Sequence, residues 1–168
     1  MVRIAEHPTP PLSPAPGSER ARVCGAVRAL STAPSPLSGA ECVAFRLVGS
    51  GPSGHVDDSG MGSFEVVVDG SETIAVESGS AVVDVPAGRP AQVQDLPAAL
   101  AEFLEHRGVL LSPGPISVAE GLVRDGDHVE IEGIATADVR PDGYRGVARR
   151  TLLRGNPEAP LIIRLART

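Results

Sequence analysis

The chain of 168 residues has room for one domain with a substantial core, or for a small domain and a tail. Aromatic residues make up only 2% of it, so the core has to be built from Val, Leu, Ile and Ala, and a nucleic-acid surface paved with stacking aromatics is disfavoured from the outset. The formal net charge of −6 conceals an asymmetry: residues 1–40 hold four Arg against two acids, residues 41–139 four Arg against 17 acids, and residues 140–168 seven Arg against two acids. The segments therefore carry net +2, −13 and +5. An acidic body with a basic C-terminal stripe can attract an acidic partner, although Arg on a barrel strand is more often a solvated outward face. All 15 basic residues are Arg, which a GC-rich genome explains more simply than a surface selected to lack lysine.

Residues 1–21 read as a disordered tail, because Pro8, Pro10, Pro11, Pro14 and Pro16 remove amide donors and favour an extended chain. There is no apolar leader, and no stretch approaches the roughly 18 consecutive apolar residues of a membrane span, so a cytoplasmic protein of bacterial type without a span is expected. A folded domain is expected over residues 22–166. "RVCGAVRAL", starting at Arg22, suggests a first strand buried on much of both faces, and "CVAFRLVG" a second one pairing with it. "SGPSGHVDDSGMG" reads as a surface loop. "SFEVVVD" and "ETIAVES" flank Asp69-Gly70-Ser71, a strong hairpin signal since Gly accepts the positive φ of a tight turn. "SAVVDVP" gives a further strand ended by Pro86.

A single helix is expected over residues 95–107, with Asp95 as N-cap, Pro97 in the first turn, Leu100, Phe103 and Leu104 on the apolar face, and Gly108 as terminator. "EGLVRDGDHVEIEG", Glu120 to Gly133, then predicts a hairpin turning at Asp125-Gly126-Asp127. "YRGVARRTLLRG" and "PLIIRLA" complete a mainly β chain. About six to eight strands with one inserted amphipathic helix point to a small barrel like that of oligonucleotide/oligosaccharide-binding (OB) domains.

Three stretches, "SPLSGAECVAF", "EGLVRDGDHVEIEG" and "LLRGNPEAPLIIR", together resemble the BAM (GIDE) domain of the mulan-type membrane-anchored RING E3 ubiquitin ligases, over roughly residues 22–165. The resemblance implies a β-rich recognition or regulatory module. It does not extend to ligase activity: a RING uses about eight Cys/His zinc ligands, whereas this chain has two Cys and four scattered His and lacks the flanking membrane helices.

The candidate sites are few. Glu120 has no partner acid, base or metal in the sequence, so it is read as holding a backbone or Arg partner beside Gly121 rather than as a catalytic carboxylate. His55, Asp57 and Asp58 form a weak metal candidate with an incomplete ligand set. Cys24 and Cys42 are read as reduced, buried small residues, not as a zinc pair; pairing of their strands would bring them near each other, and whether they touch is left open. Tyr144, Arg145, Arg149, Arg150 and Arg154 are the candidate binding patch, and Tyr144 in particular offers a base-stacking platform. The expected function is a non-catalytic binding module with another protein as partner, membrane-associated in the ligase setting, and without cofactor. Single-stranded nucleic acid or another OB-type ligand is the alternative, followed by an enzyme of unrecognised type.

Overall fold

A computed structural model describes residues 20–52, 54–109, 114–142 and 146–166, side chains 138–149 excepted. In chain order these residues form β1 (Arg20–Ala29), β2 (Ala33–Pro34), β3 (Glu41–Cys42), β4 (Ala44–Gly51), β5 (Gly54–Met61), β6 (Phe64–Val68), β7 (Glu72–Val76), β8 (Ala81–Val83), β9 (Ala91–Val93), α1 (Ala98–His106), β10 (Ile116–Val123), β11 (His128–Asp142), β12 (Gly146–Arg154) and β13 (Leu161–Leu165).

Period-two alternation builds the barrel wall. Phe64, Val66 and Val68 of β6 and Ile74 and Val76 of β7 are buried, and Asp69 (φ 50°) and Gly70 (φ 75°) form the tight turn between the two strands. On β11, Val129 and Ile131 point inward at 0% exposure, while Glu130 and Glu132 alternate with them. The ring runs β1-β6-β7-β12-β11 and returns to β1 through the β1–β11 ladder, with β7 and β12 parallel and the other pairs antiparallel. This closed five-stranded OB-like barrel with extra strands matches the expected class. Its first strand begins at Arg20, two residues before the expected boundary. The tail expected over residues 1–21 lies outside the described residues as far as Glu19. β1 is buried on one face only: Arg20, Arg22 and Arg28 are exposed and Gly25 and Val27 buried.

A second sheet, ordered β5-β4-β10-β9, lies on the barrel. Ala44 and Val123 belong to the same buried cluster as the barrel residues Phe64, Ile131 and Leu153, whereas Leu47 and Val118 are buried with Leu100 and Leu104 of α1. The layers are thus barrel, sheet and helix. Gly121, paired with Arg46, permits the close passage of the next segment, since a Cβ there would sit 2.6 Å from the Pro86 carbonyl oxygen.

Four local expectations are corrected. The stretch read as a loop after residue 50 is β5, because an eight-residue ladder to β4 supplies the pairing that its Gly-rich sequence does not announce. Strands β1 and β4, which carry or adjoin Cys24 and Cys42, do not pair; they belong to different sheets, and both thiols are free. The helix runs over 98–106 rather than 95–107: Pro97 (φ −53°, ψ 139°) is the N-cap with no side-chain cap bond, so Asp95 does not cap it. Proline disfavours the helical region for the residue before it, which keeps Leu96 out of the helix. Finally, β10 and β11 are not a hairpin. Asp127 Oδ2 accepts from Arg124 N–H at 2.7 Å and Gly126 has φ 83°, so the turn forms as expected. It serves as a corner between sheets, with Gly126 N–H and Val27 N–H bonding across to β1 residue Val27 and to Asp127.

The expected terminator is where the sequence put it. Gly108 (φ 71°) lets its own N–H bond Glu105 O at 2.9 Å and Val109 N–H bond Leu104 O at 3.0 Å, a Schellman ending that lays Val109 against the Leu104 cluster. The helix is therefore anchored by Leu100 and Leu104 beneath and by its C-terminal turn. Leu100→Ala is expected to cost about 2–5 kcal/mol in urea unfolding, whereas Leu30→Ala, at a residue 58% exposed, should shift the midpoint little. Equal shifts would refute the packing assignment.

Candidate functional site

The helix covers only part of its sheet face. Beside the helix lies an open groove of about 480 Å3, floored by Leu47, Val56, Ile116 and Val118 and walled by Leu96 from the segment before the helix and by Leu104 and Val109 from its C-terminal end. Gly49 and Gly51 of β4 and Gly54 of β5 also line it, and a Cβ at Gly51 would meet Ile116 Cγ2 at 2.7 Å, so Ile116 packs directly on the β4 backbone there. Polar groups stand at the rim: His55, Gln94 and Asp95 are all exposed. An apolar floor under a few polar rim groups is the usual composition of a ligand or peptide site.

The other sequence candidates are structurally employed. Asp57 receives Arg46 in a two-pronged pair, Nε to Oδ1 at 2.9 Å and Nη2 to Oδ2 at 2.7 Å, and these donors hold its carboxyl below the usual range. Asp58, on the opposite face of β5, pairs with Arg107 at 3.3 Å and accepts from Ser59 N–H at 2.7 Å. His55, Asp57 and Asp58 therefore do not converge, and among the described residues no group of three potential metal ligands is found.

Glu120 is half-buried on β10 and accepts from Ser38 N–H at 3.4 Å, a backbone partner of the expected kind. Through it the "SPLSG" and "EG" stretches meet, and Leu37 packs beside the helix cluster. Cys42 is buried, with its thiol pushed up in pKa first by burial and then by Glu120 and Glu41. Cys24 is half-buried rather than buried, since it lies on the outer barrel face near Glu130; burial and that carboxylate raise its pKa too. Neither thiol has the lowered pKa of a nucleophile.

Of the candidate binding patch, Tyr144, Arg145 and the side chain of Arg149 lie outside the described residues. Arg154 is exposed, but Arg150 is not a free cation. It shares Glu65 with Arg28: Arg150 bonds Oε1 and Arg28 bonds Oε2, with Arg28 Nε at 2.8 Å. Glu65 is only 7% exposed although it sits at an outward position of β6, because the two guanidinium groups roof it. The sequence signal for this triad is a lone carboxylate in the apolar run "SFEVVVD"; its partners are remote in sequence.

No protein-family model matches the sequence, and comparison with curated proteins and with solved structures finds no match.

The triad makes an asymmetric prediction. Removing both cations with Arg28→Leu and Arg150→Leu strands a buried carboxylate and should cost about 3–5 kcal/mol. Glu65→Leu leaves two Arg side chains, 56% and 30% exposed, that can turn to water, and should cost about 1 kcal/mol or less. Denaturant titration of the three proteins checks this; a larger loss for Glu65→Leu than for the double variant would contradict it.

Proposed function

We propose that the protein is a non-catalytic binding module of the cytoplasm, an accessory or regulatory component, and that the groove beside α1 takes an apolar segment of a partner polypeptide. The observation that carries this reading is the groove itself: an apolar floor on the face of a sheet, left open beside the covering helix and bounded by polar groups at its rim. Burying about two aliphatic side chains there would contribute roughly 3–6 kcal/mol before the cost of ordering the segment. The resemblance to the BAM domain adds a recognition or regulatory role to the reading, and a membrane-associated protein is one partner that fits it.

The nucleic-acid alternative draws less support. Phe45 and Phe103 pack edge to face with centroids 5.4 Å apart, and Phe64 is fully buried, so none of them offers a stacking platform. Arg28 and Arg150, on the outer face of the barrel, are committed to Glu65.

Photo-crosslinking in the native cell separates the two. A crosslinker replacing Gln94, at the groove rim, should capture a defined polypeptide that survives nuclease treatment, and one replacing Arg154, on the barrel, should not. Capture of nucleic acid through Arg154, with nothing through Gln94, would overturn the proposal.

A further inference from the structure

The groove adjoins the free edge of β5, an edge strand of the second sheet. Gly62 N–H bonds Val43 O at 2.8 Å, which sets the ladder so that residues 54, 56, 58 and 60 turn their backbone groups toward β4 and residues 55, 57 and 59 turn theirs outward. Part of that edge is closed. Ser59 O accepts from Arg107 Nη2 at 3.2 Å and Ser59 N–H donates to Asp58 Oδ1 at 2.7 Å, so side chains already satisfy the groups a strand would use. Arg107 is held for this by Asp58 and by the Phe103 ring, 5.2 Å from its guanidinium carbon. At His55 and Asp57 no such capping occurs among the described residues, and both are exposed. The open part of the edge is the part that borders the groove.

We infer that an extended segment of a partner protein, alternating apolar and basic residues, adds as a strand to β5 at His55–Asp57; this rests on the groove being the binding surface. An added strand alternates its side chains between the two faces of the sheet. Those on the side of Val56 enter the groove beside Leu47, Leu96 and Val118. Those on the other side stand next to Asp57, which is 59% exposed and is bonded by Arg46 from the neighbouring strand. Opposite charges on adjacent strands attract and like charges repel. With Asp57 on the edge, Asp95 at the rim and a net charge of −13 over residues 41–139, the complementary segment is basic. The same net charge disfavours a second copy of this chain, which would set two acidic surfaces against each other.

The test uses the full chain and blocked nonapeptides alternating valine with arginine or valine with glutamate. The arginine peptide should bind, slow hydrogen exchange at the His55 and Asp57 amides by about tenfold or more, and leave Ser59 unchanged. N-methylation of the peptide amides that face β5 should weaken binding by about tenfold or more, and methylation in the other register should have little effect. The glutamate peptide should bind more weakly, the gap narrowing at high salt. A peptide that shifts Val56 and Leu96 resonances but is indifferent to N-methylation and leaves His55 and Asp57 unprotected refutes strand addition while sparing the groove. Equal binding of both peptides refutes the charge preference, and no binding by the arginine peptide refutes the inference as a whole; the Gln94 crosslink judges the groove independently.

Discussion

The sharing of β1 between two neighbours is the constraint on which the rest of the molecule depends. Its residues 20–26 pair with β11 and residues 26–29 with β6, so one strand bends from one wall of the barrel into the next and closes it. Closure removes the edges of an open five-stranded sheet and gives the inward aliphatic residues a common interior. That matters in a chain with so few aromatic side chains. The largest fully buried residues other than Phe64 are Leu, Ile and Val, and only a closed wall lets such small groups exclude water from all sides.

The second sheet depends on this barrel without merging into it. Ala44 and Val123 plug one face into the barrel interior, and the outer surfaces are tied by charge: Arg46 of β4 reaches both Asp57 and Asp84, and Arg164 of β13 reaches Asp84, Glu130 and Glu132. Each exposed pair is weak by itself, but a chain of them running from β5 to β1 fixes orientation more than it adds stability. The opposite face carries a smaller cluster of Leu47, Leu100, Leu104 and Val118, and it is this thinner layer that ends in the groove and the open β5 edge. The rigid closed wall supplies support, and the incompletely covered sheet supplies the surface.

Local signals were legible in the sequence where local chemistry decides the structure. The alternation around Asp69-Gly70 specified β6, its turn and β7, and Gly108 specified the end of α1. What pairing decides at a distance was not legible. In β5, Gly54, His55, Asp57, Asp58, Ser59 and Gly60 have poor strand preference, and the strand exists because β4 offers it a complete ladder. The turn at Asp125–Asp127 was recognisable, yet nothing in it tells whether its flanking strands meet each other or part into two sheets. The same holds for the sites. Glu120 was readable as a structural carboxylate because no chemical partner lay near it, whereas the Glu65 triad draws Arg150 from 85 residues away. The groove is lined by three strands, by α1 and by the segments flanking it, which are far apart in sequence, and the glycines among them, Gly49, Gly51 and Gly54, are recorded by composition only as glycine.

Native-state hydrogen exchange most directly tests the division of the molecule into a supporting barrel and a thinner working layer. Amides of Ile131, Val129 and Leu153 in the barrel should exchange only through global unfolding, while Leu104 and Val118 exchange through a smaller opening at lower free energy. Loss of protection at a single common free energy across both clusters would contradict the account.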